Sequence, residues 1–174
     1  LMLMMLGAGA AENTVSQWAS AFAEEGLGVT KTVGDLAGPM AFAALMGTAR
    51  LIYGKWGHKL HLEKCMLGSS LLCVAAYLAI ALVPNPLLSL VGCAVCGFSV
   101  GILWPGTFSK GSAAIPKGGT VMFALFALAG DLGCSAGPTL AGMVTRVCDG
   151  NMRRGILAGI VFPLLLVLCL VFGK

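Results

Sequence analysis

The chain has 174 residues, of which 58% are hydrophobic and 10% are charged, and its formal net charge is +4. An ordinary soluble domain carries about 25% charged residues, so the charged side chains here are too few to coat a core in water. The composition excludes such a domain and indicates a membrane protein whose solvent is mostly lipid, for which we expect no nucleic-acid partner.

Six segments are long and apolar enough to cross a bilayer, which takes about 20 residues of helix. They cover residues 2–22, 34–53, 65–83, 87–109, 119–147 and 153–172. Turn formers or charged residues separate them. The sequence therefore predicts an all-α, multi-pass protein in which residues 1–174 form one six-helix transmembrane domain. Because the chain opens inside a hydrophobic segment, we expect it to be a fragment of a longer protein.

Basic residues in short loops predict which side of the membrane each loop faces, because lysine and arginine collect in the cytoplasm. The second loop is predicted to hold four of them, Arg50, Lys55, Lys59 and Lys64. We therefore place this loop on the cytoplasmic side of the cell membrane. One loop goes against the rule, since the same topology puts three arginines outside, namely Arg146, Arg153 and Arg154.

Cysteine and histidine give no sign of a metal or redox site. The seven cysteines are odd in number and scattered through the apolar segments, so no disulfide framework is visible. Cys93 and Cys96 form a lone CxxC, which we interpret as two small packing residues because no second ligand pair accompanies them. We expect no cofactor and no metal.

Glycine and proline indicate tightly packed and bent helices. Four GxxxG pairs occur, Gly34/Gly38, Gly97/Gly101, Gly133/Gly137 and Gly155/Gly159. This spacing lets helix backbones approach closely in membranes. Four prolines fall within the spans, where they are expected to loosen or kink a helix: Pro39, Pro105, Pro138 and Pro163.

The first span has a polar stripe. A charged side chain at the centre of a membrane helix costs about 2.5–3.5 kcal/mol on insertion scales, so Glu12 is a functional-site candidate by default. At about 100° per residue, Asn13, Ser16 and Gln17 fall in the same sector as Glu12. The stripe predicts a helix that lines a wet cavity.

Asp131 in the fifth span and Trp104 in the fourth are further candidates. Small and polar residues, such as Ser135, share the helical sector of Asp131, which indicates a solute path or a polar contact with a neighbouring helix. Trp104 shares a sector with Gly97 and Gly101, so its ring lies beside a groove of small residues. Such a ring is a platform for sugars, or else an anchor at the membrane interface.

The stretch "RLIYGKWGHKL", residues 50–60, resembles the cytoplasmic signature loop of the major facilitator superfamily. In that loop an acidic and a basic residue precede a glycine flanked by further basic residues. Lys55 matches the basic residue, Gly57 the glycine, and His58 and Lys59 the following basic pair. Gly54 stands where the family usually has aspartate, so we do not expect the salt bridge that this aspartate commonly makes.

Two other stretches, "WPGTFSKGSAAIP" and "LAGDLGCSAGPTLAG", are similar to proline- and glycine-rich segments of fucose-permease-like sugar transporters. The resemblance implies that the chain is the second six-helix half of a twelve-helix transporter, with the missing N-terminal half as its partner. It also implies alternating access, usually driven by an ion gradient. Family members often place a substrate or proton carboxylate on the seventh and eleventh helices, which correspond to the spans of Glu12 and Asp131.

This resemblance gives the candidate residues their roles. Glu12 or Asp131 would carry a proton or serve another coupling ion, which requires a carboxyl group with a pKa near neutrality. The solute, expected to be a sugar or small polyol, would bind to Asn13, Ser16, Gln17 and Trp104. The cytoplasmic gate would comprise Arg50, Lys55, Gly57 and Lys59.

The alternative from another class is a six-helix membrane scaffold or subunit without a transport site. Polar contacts between membrane helices contribute only about 0.6 kcal/mol on average. This is less than the cost of placing a carboxylate at the centre of a membrane helix, so helix association alone does not account for two such acids. A membrane enzyme is not expected, because no paired histidines, no GxSxG and no close acid pair occur within the spans.

Overall fold

The computed structural model describes residues 1–27 and 30–173, and this part of the chain is α-helical with no strand. The helices are α1 (Met2–Leu27), α2 (Lys31–Trp56), α3 (Leu62–Leu82), α4 (Pro86–Val100), α5 (Leu103–Ala114), α6 (Gly119–Val147), α7 (Met152–Gly159) and α8 (Val161–Phe172). A single turn of 3₁₀ helix, Gly57–Lys59, lies between α2 and α3.

Helix α1 lies in the middle of the bundle and packs against α2, α4, α6 and α8. Its inward face is made of small side chains, among them Ala8, Ala11 and Ala19, which are fully buried. Tyr77 of α3 is also fully buried, and its hydroxyl donates a 2.8 Å hydrogen bond to the Ala11 carbonyl oxygen. The core of the bundle therefore forms around α1.

In the described part of the chain, five helical segments are long and apolar enough to span a membrane: Thr32–Trp56, Leu62–Leu82, Leu87–Ala114, Gly119–Val147 and Met152–Phe172. The first predicted span is not among them, although α1 has 26 residues and about 39 Å of length at 1.5 Å per residue. Polar side chains such as Glu12, Asn13 and Gln17 lower its apolar character. A helix surrounded by other helices needs less lipid-facing surface than one at the edge of the bundle.

The first two predicted loops are shorter than the sequence indicated. Helix α1 continues to Leu27 and α2 begins at Lys31, while residues 28 and 29 lie outside the described part. Arg50 and Lys55, which we assigned to the second loop, lie inside α2 instead. After Pro39, α2 contains no further proline and only two separate glycines, Gly47 and Gly54. Single glycines are tolerated within a helix, so α2 can continue to Trp56.

Two of the four span prolines interrupt their helices and two do not. Proline lacks an N–H and its ring clashes with the carbonyl four residues before it. The gap between α4 and α5 begins at Gly101, four residues before Pro105, and α7 ends at Gly159, four residues before Pro163. Pro39 and Pro138 lie within the continuous helices α2 and α6 and do not interrupt them.

The four GxxxG pairs lie at helix crossings, which confirms the packing prediction. Gly133 and Gly137 of α6 face α1. A Cβ atom added at Gly133 would overlap with the Leu6 carbonyl oxygen, and one added at Gly137 would overlap with the Thr14 side chain. The other pairs make equivalent close approaches, Gly34/Gly38 to α1, Gly97/Gly101 to α2, and Gly155/Gly159 to α6 and α1. At every one of these glycines except Gly159, whose added Cβ would lie 3.0 Å from the Thr14 side chain, the helices are too close to leave room for a side chain.

Arg153, one of the arginines that go against the charge rule, has a structural place. The N–H that would bond the Ile80 carbonyl in a continuous helix belongs to residue 84, which is proline and has none. The Arg153 guanidinium donates to that carbonyl at 2.8 Å, to the Val83 carbonyl, and to Ser89 Oγ at 2.8 Å. This side chain therefore joins the end of α3 to α4 and α7.

Candidate functional site

A cavity of about 590 Å³ lies between α1, α2 and α5. Its walls are formed by Glu12, Arg50, Tyr53, Gly54, Trp104, Pro105 and Phe108. The volume lies within the range of about 300–1,000 Å³ that is typical of small-molecule sites. Two of the predicted site residues, Glu12 and Trp104, thus line the same space, together with an arginine that we had placed in the gate.

The position of Arg50 follows from the interruption between α4 and α5. Pro105 leaves the Gly101 carbonyl without its backbone donor, and Arg50 Nε donates to this oxygen at 3.3 Å. This contact holds the guanidinium group at the cavity, where its Nη2 lies 3.8 Å from Glu12 Oε2. The Arg50 side chain is 46% exposed and that of Glu12 is 21% exposed, so a solute in the cavity could reach both.

Glu12 and Arg50 form a loose ion pair. Their separation of 3.8 Å is longer than a hydrogen bond between charged groups, which is about 2.7–2.9 Å. The buried Glu12 Oε2 atom has no hydrogen-bond partner. The pair therefore offers a carboxylate and a guanidinium group that could each take up a new partner.

Aromatic rings form the other wall. The Trp104 and Phe108 ring centroids are 6.2 Å apart, and Phe108 also packs against Phe123 at 5.6 Å and Phe126 at 6.2 Å in α6. The buried Trp104 Nε1 atom has no hydrogen-bond partner. The wall thus presents flat aromatic faces, which suit a ring-bearing solute.

The other residues of the predicted polar stripe do not line this cavity. Ser16 is partly buried and its hydroxyl donates to the Asn13 carbonyl of its own helix at 3.4 Å, while Gln17 is exposed. Asn13 lies beside the Cys134 side chain of α6. Of the stripe, only Glu12 faces the cavity and the aromatic wall.

Asp131 is exposed on the surface of α6, outside the cavity. The Cys134 side chain, one turn further on, lies close enough to interact with both Asp131 and Glu12. The small residue Ser135 is exposed on the same side of α6, as the sequence periodicity predicted. The two acids therefore flank one place on the α1–α6 contact, although only Glu12 faces the cavity.

The remaining gate residues lie at the end of α2. Lys55 is in the last turn, with Nζ 5.3 Å from the centroid of the Trp56 ring, and Gly57 and Lys59 belong to the 3₁₀ turn. Lys55 and Lys59 are exposed and do not line the cavity. The side chain of His58, which the signature loop includes, lies outside the described residues.

Besides Gly54, three cavity residues were not predicted as site residues, namely Tyr53, Pro105 and Phe108. Tyr53 follows Arg50 by three residues and Phe108 follows Trp104 by four, so helical periodicity could have placed each beside a candidate. Gly54 also lines the cavity, and a Cβ atom there would meet no other atom within 4 Å. Among the described residues no three His, Cys, Asp or Glu side chains come together as a metal-binding group.

Comparison with known proteins identifies one family. The model of the Major Facilitator Superfamily matches residues 1–138 of the 174. No curated protein and no solved structure matches the chain. Members of the matching family are transporters and not enzymes.

Proposed function

The chain belongs to the Major Facilitator Superfamily, and on that premise we propose that it carries a sugar or related small polyol across the cell membrane together with a proton. The family and the apolar helices make it a multi-pass membrane protein that transports a solute. The identity of the solute, the coupled proton and the particular membrane are parts of our proposal.

The observation that carries the proposal is the cavity that brings Glu12 and Trp104 together between α1, α2 and α5. A tryptophan face can stack on the apolar face of a sugar ring. The Glu12 side chain, which is 21% exposed, could then accept hydrogen bonds from hydroxyl groups. Asn13, Ser16 and Gln17 are proposed to contact the solute from the same helix, α1, as it passes along the polar stripe.

Glu12 is the proposed proton carrier. A carboxyl group in a partly closed site within the membrane can bind and release a proton during transport, provided that its partner changes with the state of the protein. The loose pair with Arg50 supplies such a partner. Asp131 is proposed as a second acid on the proton path, reached from Glu12 along the α1–α6 contact near Cys134.

The single six-helix domain, residues 1–174, is proposed to work as one half of a twelve-helix transporter. Its partner would be an N-terminal six-helix half, and rocking of the two halves would expose the midplane site to each side in turn. The exposed small and polar face of α6, which contains Asp131 and Ser135, is suited to such a partner. Lys55, Gly57 and Lys59 would belong to the cytoplasmic gate.

The experiment is uptake of labelled sugars by vesicles containing the full-length protein, with and without an imposed proton gradient. Wild type is compared with Glu12→Gln and Asp131→Asn, which remove each charge and keep the shape. We expect Glu12→Gln to abolish gradient-driven accumulation while exchange of solute across the membrane continues. Arg146→Gln, at an exposed position at the end of α6, serves as the control and should transport like wild type.

Two results would contradict the proposal. If neither substitution changes uptake, the carboxylates are structural and proton coupling lies elsewhere. If no solute enters in any condition, the six-helix scaffold becomes the better description of this domain.

A further inference from the structure

We propose that the solute carries a negative charge, so that the cavity takes a sugar acid or a similar small organic anion whose carboxylate binds Arg50. The inference rests on the proposed function and names the solute class of the same site. It follows from the charges that line the cavity and from the way in which Arg50 is held there.

The first step is the charge balance of the cavity. Among its lining residues, Glu12 and Arg50 are the two that carry charge, and they neutralise each other when Glu12 is ionised. Once Glu12 takes up a proton, Arg50 remains with an unbalanced positive charge inside a membrane protein. Such a charge is costly unless a partner neutralises it. An anionic solute would supply that partner, whereas a neutral sugar would not.

The second step is that Arg50 is fixed at the cavity without Glu12. Its Nε donates to the Gly101 carbonyl, which Pro105 leaves without a backbone donor. The guanidinium group therefore keeps its place when Glu12 is protonated, and its remaining N–H groups are free to form the paired hydrogen bonds that carboxylates accept. A side chain that is 46% exposed is accessible for this purpose.

The third step concerns the rest of the ligand. Tyr53, Trp104 and Phe108 line the cavity, and a volume of about 590 Å³ leaves room for a ring or short chain of sugar size next to the carboxylate. The Trp104 ring can stack on the apolar face of the ligand. The cavity thus combines one cationic group with flat aromatic faces.

The titratable groups around Glu12 are few in the described part of the chain. Helix α2 contributes Arg50 and Tyr53, and α6 contributes Cys134 and Asp131. In the proposed cycle a proton from the outside binds the Glu12 carboxylate, and the anion replaces that carboxylate on Arg50. On the other side the proton leaves, and Glu12 displaces the anion. One proton and one negative charge cross together, so the step is electrically neutral.

The test uses proteoliposomes of the full-length protein and three labelled solutes of one carbon skeleton: a hexose, its hexitol and its hexuronate. With an imposed pH gradient, inside alkaline, we expect the hexuronate to accumulate at least tenfold above the hexose. Collapsing the membrane potential should leave this accumulation unchanged. Arg50→Gln should lose it, Arg50→Lys should retain a part, and Arg146→Gln should behave like wild type.

The outcomes separate this inference from the proposed function. Accumulation of the hexose or hexitol but not of the hexuronate would overturn the anion inference and leave sugar transport standing. Accumulation of the hexuronate by Arg50→Gln at the wild-type level would also overturn it. If none of the three solutes accumulates, the proposed function fails together with the inference. A hexuronate-dependent rise of the melting temperature in wild type but not in Arg50→Gln would support the carboxylate contact independently of transport.

Discussion

At the scale of single residues, two arginines bond carbonyl groups that prolines leave without a donor. Pro105 frees the Gly101 carbonyl, which accepts from Arg50, and Pro84 frees the Ile80 carbonyl, which accepts from Arg153. An unpaired carbonyl in a low-dielectric interior costs free energy comparable to a lost hydrogen bond. Each proline therefore creates a site that a long cationic side chain can satisfy from another helix.

Arg153→Gln is expected to destabilise the protein, because glutamine cannot reach the same three acceptors and adds no charge. Hydrogen bonds to charged groups contribute about 1.5–3 kcal/mol each, and partial compensation should bring the loss in the free energy of unfolding to about 2–4 kcal/mol. Unfolding in mixed micelles measures it. Arg154→Gln is the matched control, since this neighbour is exposed, and it should change the free energy by less than about 0.5 kcal/mol. Equal losses in both variants would mean that the charge alone matters.

Residue-scale features could be predicted only in part. The mid-span acid Glu12 and the ring of Trp104 stand out in sequence because they are rare types in apolar segments, and both line the cavity. The place of Arg50 could not be predicted from its own helix, since it depends on the Gly101 carbonyl, which is freed between α4 and α5 by a proline 55 positions after Arg50. Long-range contacts of this kind leave no periodic pattern in the sequence.

At the scale of elements, the crossing of α1 and α6 sets the distance between the two candidate acids. Gly9, Gly133 and Gly137 let the two backbones touch, and Cys134 lies in the same contact. The hydrophobic effect contributes little to association of helices within a membrane, so the contact between α1 and α6 depends on close van der Waals packing. Adding atoms here should separate the helices.

Gly133→Ala is therefore expected to reduce the free energy of unfolding by about 1–3 kcal/mol, the usual cost of overpacking. Its new Cβ would overlap with the Leu6 carbonyl oxygen, which belongs to backbone and cannot move aside. Gly142→Ala in the same helix is the control, because no atom lies within 4 Å of the added Cβ. The control should be neutral or slightly stabilising, since alanine favours helix over glycine by up to about 1 kcal/mol. Thermal unfolding in detergent compares the two, and similar melting temperatures would show that the crossing is not tight.

The elements themselves were largely predictable. Five of the six predicted spans coincide with helices long and apolar enough to cross a membrane. The helix ends were less accurate, since α2 includes Arg50 and Lys55. The interruptions before Pro105 and Pro163 occur while Pro39 and Pro138 are accommodated within continuous helices. A proline in the sequence therefore indicates where a helix can be interrupted, and tertiary contacts determine whether the interruption occurs.

At the scale of the whole molecule, the burial of α1 explains how a helix with a polar stripe can lie in a membrane bundle. Its neighbours α2, α4, α6 and α8 shield it, and the cavity beside Glu12 opens between it, α2 and α5. Glu12 and Arg50 meet at this cavity, where 21% and 46% of their side chains are exposed. Under the proposed function, the Glu12 carboxyl group would exchange protons at this cavity while α1 stays packed within the bundle.

The most direct test of the account is the pH of a lightly buffered medium around proteoliposomes of the full-length protein when an accumulating solute is added without a gradient. We expect the medium to become more alkaline with wild type, because each solute takes a proton inward. Glu12→Gln should exchange labelled solute without changing the pH. Solute entry into wild-type vesicles with no pH change, or an alkaline shift of normal size with Glu12→Gln, would contradict the role of Glu12 as the proton carrier.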